Sequence, residues 1–283
     1  QAAKLYNFVR YKTLPNGLLD LEQMRVMALE HKPKIILVGF SSYSREIDYT
    51  SVDKIAKEVG AITMADIAHI AGLIAGGVLA NPVPLFDIVT TTTHKTLRGP
   101  RGGMIMCKKS FASAIDKAVF PGLQGGPHMN NIAAMAVALK EASGPSFKRY
   151  AKQVVRNAKT LEVELTRHGQ RILFGGTDNH LLLIDVTPLN LSGKQAEIAL
   201  DIAGITVNKN MIPDDPRSPM DPSGIRLGTP ALTTRGMKEP EMRQIALWIT
   251  DALAHANHAP TLRRIKREIA ALTARFPLYP ELY

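Results

Sequence analysis

DIVTTTTHKTLRGPRGG, residues 87–103, is the stretch around which this chain is organised. Two apolar residues, Ile88 and Val89, lead into four threonines, and β-branched residues of this kind favour an extended strand. Glycine and proline between residues 98 and 103 end that strand in a turn. We predict a strand over residues 87–93, with Lys95 at its mouth, where a binding pocket would lie.

Lys95 is the residue of this stretch with the most distinctive chemistry. A lysine amine becomes a nucleophile toward carbonyl groups when it is held away from bulk water near polarising groups, which allows a Schiff base to form. The alternative is a solvated lysine at the end of a strand. Spacing alone leaves both interpretations open.

Apolar runs around this stretch predict a sheet whose strands alternate with helices. Connections of this length imply right-handed crossovers and a mainly parallel sheet, with ligands gathering at the carboxyl ends of the strands. Ser41, Asp66, His69 and Lys95 all lie at such ends. The predicted strands are residues 34–40, 61–67, 87–93 and 103–107, and the predicted helices are residues 19–30 and 50–59.

The second half of the chain predicts a smaller α+β domain, so we expect one domain over residues 1–147 and another over residues 148–283. Gly144 and Pro145 separate two helices, and a Pro/Asp-rich loop is expected at residues 212–222. The predicted helices are residues 131–143, 147–168 and 193–203 with two more at the C-terminus, and the predicted strands are residues 181–186, 205–209 and 224–228.

Bulk composition indicates a soluble, cytoplasmic protein. The 283 residues are 45% hydrophobic, which is enough for a sizeable core, and the single cysteine excludes an internal disulfide. No apolar run reaches membrane-spanning length, and no signal-peptide pattern opens the chain. The net charge of +10 would suit a nucleic-acid partner, but its densest run, residues 263–267, fits a solvated helix face. We therefore expect no nucleic-acid binding as a main function and no membrane partner.

Several motifs together resemble the serine hydroxymethyltransferase family, and they occur in that family's order. The resemblance implies a pyridoxal-phosphate enzyme of fold type I, like aspartate aminotransferase, with a large cofactor domain and a small C-terminal α+β domain. Chains of this family begin upstream of Gln1, and roughly their first third has no counterpart here. The motifs are ADIAHIAG (residues 65–72), THKTLRGPRGG (93–103), FPGLQGGP (120–127), GGTDNHL (175–181), TVNKN (206–210) and SGIRLGTPA (223–231).

The resemblance implies catalytic roles for Lys95, Asp66 and His94. Lys95 would hold the cofactor aldehyde, Asp66 would pair with the protonated pyridine nitrogen, and His94 would tune specificity beside the lysine. Asp66 has a second interpretation as a residue that merely caps a turn. The family's acid/base glutamate and ring-stacking histidine belong to the portion upstream.

Further cofactor contacts are implied at His69, Ser41, Gly125 and Gly126. His69 would lie against the ring, and Ser41 would hydrogen-bond in the cofactor pocket. Gly125 and Gly126 would reach the phosphate of a neighbouring subunit, which implies a homodimer with a shared active site. The two glycines have another interpretation, as a loop that simply needs positive φ.

The implied substrate residues lie mostly in the second half of the chain. Arg226 would grip the amino-acid carboxylate with its planar fork, although a strand arginine also serves as a salt-bridge partner. Arg101 would lie close to the active site. Asn210, Arg217, Ser218 and Pro219 would line a tetrahydrofolate pocket.

The reaction that the resemblance implies is reversible transfer of the serine hydroxymethyl group to tetrahydrofolate, giving glycine and 5,10-methylenetetrahydrofolate. Pyridoxal 5'-phosphate would be the cofactor, tetrahydrofolate the co-substrate, and no metal is needed. Two alternatives stay open: another fold type I enzyme, such as a threonine aldolase or an aminotransferase, and an inactive truncated binding protein.

Overall fold

The protein divides into two compact units in its computed structural model, which describes residues 5–279. One unit contains the chain up to Ser41 and again Glu46–Lys148. The other contains Ser42–Arg45 and the chain from Arg149 onward. That the four-residue segment Ser42–Arg45 belongs to the second unit was not predicted from the sequence.

The first unit is built on a four-stranded sheet in which the strands follow chain order. The first three strands are parallel to one another, whereas the fourth is antiparallel to the third. This mixed, mostly parallel sheet confirms the predicted α/β class. The strands are β1 (Ile35–Val38), β2 (Ile62–Asp66), β3 (Ile88–Thr92) and β4 (Gly103–Cys107).

The helices of this unit begin and end at residues that the sequence marks well. The helix over Tyr49–Val59 starts where the Asp48 carboxylate accepts a hydrogen bond from Ser51 N (3.0 Å), and it ends at Gly60, whose φ is 69°. The helices are α1 (Leu21–His31), α2 (Tyr49–Val59), α3 (Ala71–Ala75), α4 (Lys109–Lys117), α5 (Met129–Ala142) and α6 (Pro145–Arg167), which runs on into the second unit. A π-helical turn, Ala118–Leu123, follows α4.

Two of these helices, α3 and α4, were not predicted from the sequence. The first three strands are shorter than predicted, whereas β4 has the predicted bounds. The strand predicted over residues 87–93 is observed one residue shorter at each end, so Lys95 lies in the turn that follows β3. Proline also begins α6 at its first position, where its missing N–H has no helical partner to lose.

One face of the first sheet is packed and the other is open. Ile36 and Val38 of β1 are buried, as is the edge-to-face pair of Tyr49 and Phe86, whose ring centroids are 5.4 Å apart. The alternate residues of β1, Ile35 and Leu37, are 47% and 42% exposed. Because side chains alternate between the faces of a strand, this exposure marks a whole face of β1 rather than single residues.

The second unit has a four-stranded antiparallel sheet of order β5-β6-β8-β7. The predicted strand over residues 205–209 is wrong in position: Ile205 N bonds Leu200 O (2.8 Å) to close the preceding helix, and the strand forms only where it can pair with β8. The strands are β5 (Arg171–Ile172), β6 (Leu181–Asp185), β7 (Asn208–Asn210) and β8 (Gly224–Gly228), and the helices after α6 are α7 (Gly193–Ile202), α8 (Pro230–Thr234), α9 (Glu239–Ala254) and α10 (Ala259–Ala274).

The core of the second unit lies between this sheet and its helices. Leu182 and Ile184 of β6 join Ile225 and Leu227 of β8 on the helix-facing side of the sheet. Arg226, between the last two, therefore points to the other face. Within residues 5–279 no helix is long and apolar enough to cross a membrane.

Candidate active site

The carboxyl ends of β1 and β2 approach each other at Asp66. Gly39 follows β1 with φ of 136°, and a Cβ added there would lie 2.1 Å from the Asp66 carbonyl oxygen. A side chain at residue 39 would therefore push the two strand ends apart. Asp66 is exposed, and its Oδ1 accepts a hydrogen bond from Ala68 N (2.9 Å).

Lys95 lies in a compact turn that begins where β3 ends. Thr93 holds both sides of this turn: its N–H donates to Gly102 O (3.0 Å), its Oγ1 donates to Pro100 O (2.6 Å), and its carbonyl accepts from Gly99 N (2.8 Å). Arg98 N donates to Lys95 O (2.9 Å). These bonds fix the backbone from which the lysine side chain projects.

Thr96 ties the Lys95 turn to the loop that carries His69. Its buried Oγ1 donates to His69 O (2.9 Å) and accepts from Gly72 N (3.0 Å). Gly72 is required for this approach, because a Cβ there would lie 2.1 Å from Thr96 O. Thr96 and Gly72 were not singled out from the sequence, where a threonine after a lysine carries no distinctive signal.

Three polar atoms at these strand ends have no partner in the described chain. Lys95 is half-buried, and its Nζ makes no hydrogen bond or ion pair with residues 5–279. The same is true of Asp66 Oδ2. Nδ1 of His94 is buried and also unpaired within that range. Since buried polar atoms normally find partners, the orphaned His94 nitrogen points to a ligand.

The remaining predicted residues of the first unit are exposed. Ser41 follows β1 at the same sheet edge, and Arg101 lies in the turn after Lys95. Gly125 and Gly126 lie between the π-helical turn and α5, and neither has positive φ or any atom within 4 Å of an added Cβ. The interpretation that these glycines serve a positive-φ turn is therefore wrong.

Arg226 lies in β8 between β6 and β7, directly opposite Asn208. It is half-buried, and burial lowers the pKa of its guanidinium below the ordinary value. A partly desolvated arginine suits a carboxylate ligand.

The predicted folate residues lie at the end of β7 and in the loop after it. Asn210 is the last residue of β7 and pairs with Gly224. Arg217, Ser218 and Pro219 are exposed in the loop. The organising residue of that loop is Asp215, which the sequence analysis did not single out.

Hydrogen bonds anchor the segment Ser42–Arg45 to other residues of the second unit. Ser44 is fully buried, its Oγ donates to Gly176 O (2.5 Å), and its carbonyl accepts from Asp178 N (2.8 Å). Asn179 Nδ2 donates to Tyr43 O (3.1 Å). Ser41, a predicted site residue, immediately precedes this anchored segment. The anchoring role of Ser44 was not predicted from the sequence.

Fold and site define a class of protein: an α/β protein whose parallel strands carry a half-buried lysine on one strand end and a carboxylate with an open oxygen on the next. In the described range no group of three or more His, Cys, Asp or Glu side chains could hold a metal ion. The chemistry available at this edge is that of an amine, a carboxylate and an imidazole.

The comparisons with known proteins give the family. The family model described as "Serine hydroxymethyltransferase" matches residues 1–249. A serine hydroxymethyltransferase of Koribacter versatilis (strain Ellin345) is 54% identical over 277 residues, covering 96% of this chain and 65% of the relative. Another, of Polynucleobacter necessarius subsp. necessarius (strain STIR1), is 54% identical over 278 residues, covering 98% and 67%.

The chain belongs to the serine hydroxymethyltransferase family, which confirms the resemblance found in its motifs. It spans about two thirds of the length of these curated relatives.

Proposed function

We propose that the protein is a pyridoxal-phosphate-dependent serine hydroxymethyltransferase of fold type I. It would transfer the hydroxymethyl group of serine reversibly to tetrahydrofolate, giving glycine and 5,10-methylenetetrahydrofolate. One observation carries the proposal. The half-buried Lys95 amine after β3 and the Asp66 Oδ2 atom at the end of neighbouring β2 both lack a partner in the part of the chain that the structure describes. The two relatives carry this activity in their names.

The residues at the strand ends fit the cofactor. The Lys95 amine is available to an aldehyde, Asp66 Oδ2 is available to a ring nitrogen, and the buried His94 Nδ1 lacks a partner among the described residues. When bound, pyridoxal phosphate supplies an electron-poor ring that stabilises negative charge on the amino-acid α-carbon. Asp66 would hold a proton on the pyridine nitrogen, Lys95 would hold the aldehyde carbon, and His69 and Ser41 would orient the ring.

We assign substrate-binding roles to Arg226 and Arg101. Arg226 would bind the serine or glycine carboxylate through two parallel hydrogen bonds, and Arg101 would bind substrate close to Lys95 in the sequence. Asn210, Arg217, Ser218 and Pro219 would bind tetrahydrofolate. Residues 1–147 would be the C-terminal part of the cofactor domain, and residues 148–283 the small α+β domain.

A cytoplasmic homodimer with shared active sites completes the proposal. No contact within the described part of the chain requires glycine at positions 125 and 126, since a Cβ added there meets nothing within 4 Å. Close approach of their backbone to the cofactor phosphate of a neighbouring subunit would explain glycine at both positions. The adjacent helix α5 leaves Met129 65% and Val137 61% exposed, which suits burial against a second copy.

Formation of glycine from serine tests the activity and separates it from its rivals. The assay uses this chain and a fused protein, in which the part of the Koribacter versatilis relative that this chain does not cover is joined to it. We expect glycine formation by the fused protein that requires both cofactor and tetrahydrofolate. Glycine formation that is equally fast without tetrahydrofolate would favour a threonine-aldolase-like enzyme, and cofactor binding without turnover of any amino acid would favour a binding protein.

A further inference from the structure

The loop of residues 212–222 links β7 to β8 and carries three of the proposed folate residues. Its C-terminal base is fixed by backbone contacts, since Gly193 N donates to Pro222 O (2.6 Å) and Val186 N donates to Ser223 O (3.1 Å). Most residues of the loop are exposed. Among its described backbone bonds are only two local turns, Asp215 N to Ile212 O (3.2 Å) and Asp221 N to Ser218 O (3.0 Å).

The Asp215 carboxylate accepts hydrogen bonds from residues at both ends of this loop. Its Oδ2 accepts from Ile212 N (3.2 Å) and Ser223 N (2.9 Å), and its Oδ1 accepts from Arg217 N (2.9 Å) and the Ser223 hydroxyl (2.6 Å). Ser223 is fully buried at the start of β8. A single side chain thus joins the entry, the middle and the exit of the loop.

The electrostatics favour a charged carboxylate at this position. Burial raises the pKa of Asp215, but the hydrogen bonds from Ser223, Arg217 and Ile212 outweigh it, and the pKa lies below the ordinary value. Both oxygens accept, so every contact uses the ionised form. The neighbouring ion pair of Arg217 and Asp221 spans 3.7 Å between exposed side chains and contributes little.

We propose that Asp215 is a positioning residue that holds Arg217, Ser218 and Pro219 in place for the folate co-substrate. This inference rests on the proposed function and deepens it, because it assigns control of folate affinity to a residue whose described hydrogen bonds all go to the loop and to Ser223 directly after it. Asn at residue 215 would replace Asp poorly. Turned one way, its NH2 group faces the N–H groups of Ile212 and Ser223, and turned the other way it faces the Arg217 N–H. The loop would then lose its central tie while β7 and β8 stay paired.

The test compares Asp215→Asn with Asp214→Asn in the fused protein. The control removes the same charge from the exposed adjacent residue, whereas the four hydrogen bonds described above are accepted by Asp215. We expect Asp215→Asn to raise the KM for tetrahydrofolate roughly tenfold or more, with the KM for serine and cofactor absorbance unchanged, and Asp214→Asn to stay within about twofold. Hydrogen exchange should rise across residues 212–222 in Asp215→Asn alone.

A second variant covers the case in which Asp215→Asn does not fold. Ser223→Ala removes only the 2.6 Å hydroxyl bond, and we expect an increase in the tetrahydrofolate KM of about three- to tenfold. Equal folate affinity in Asp215→Asn and Asp214→Asn, or a parallel loss of serine and folate affinity, would overturn the inference. Unaltered protein that binds cofactor and serine but no tetrahydrofolate would instead refute the proposed function, and the inference with it.

Discussion

Replacing Gly72 by alanine tests the close approach that positions the Lys95 turn. An added Cβ would lie 2.1 Å from the Thr96 carbonyl oxygen and 2.3 Å from its carbonyl carbon, both backbone atoms. The two backbones must therefore separate by about 1 Å or more before ordinary van der Waals contact is restored. That movement also stretches the hydrogen bonds of Thr96 Oγ1 to Gly72 N and His69 O.

The expected magnitude follows from these contacts. Overpacking against a backbone costs about 1–3 kcal/mol, and weakening two buried hydrogen bonds adds about 1 kcal/mol each. Alanine is favoured over glycine in a helix by about 1 kcal/mol, and Gly72 lies in α3. We expect a net loss of about 2–4 kcal/mol in the free energy of unfolding, although helix propensity alone predicts a gain.

Urea denaturation of the chain, followed by circular dichroism, measures this change. The matched control is Gly125→Ala, which places a Cβ in open space and should change stability by less than about 0.5 kcal/mol. If Gly72→Ala were as stable as the unaltered chain or more so, the tie between the His69 loop and the Lys95 turn would be refuted.

Three further predictions concern the second unit. Ser44→Ala strands the buried Gly176 carbonyl and should lower the free energy of unfolding by about 1–2 kcal/mol, measured by urea denaturation; an unchanged midpoint would contradict the anchor. Arg226→Lys loses the planar fork and should weaken glycine binding about tenfold without altering cofactor absorbance; equal affinity would remove Arg226 from the carboxylate site. Because the native pKa of Asp215 is lowered, its stabilising contribution is present above about pH 4 and is lost as pH falls through the native value. In an acid titration followed by circular dichroism, unfolding should therefore begin at a higher pH in Asp215→Asn than in Asp214→Asn. The reverse order would contradict a stabilising role for the Asp215 carboxylate.

The sequence predicts the first sheet well because its signals are local. Apolar runs mark β1 to β3, and Gly60 marks the end of α2. The antiparallel direction of β4 could also be predicted from the sequence, since the link from Thr92 to Gly103 is shorter than the dozen or so residues that a parallel crossover needs. The position of β7 could not be predicted from the sequence, because this strand forms through its pairing with β8.

Motif resemblance identified the residues that would touch ligands, but not those that hold them. Thr96 and Ser44 act through contacts with residues distant in sequence, such as the bond from Thr96 to His69 O. Asp215 contacts residues of its own loop and Ser223. Of its contacts, only the bond from the N–H two residues on has a local signal, since aspartates in turns often accept such a bond. Long-range hydrogen bonds of this kind have no periodicity or spacing to reveal them.

The most direct measurement for the whole account is the location of the cofactor on the chain. The fused protein is incubated with pyridoxal 5'-phosphate, reduced with borohydride and digested, and the modified peptide is found by mass spectrometry. We predict one dominant phosphopyridoxyl group, on Lys95, together with visible absorbance that Lys95→Ala abolishes. A label spread over exposed lysines, or one that persists in Lys95→Ala, would contradict it.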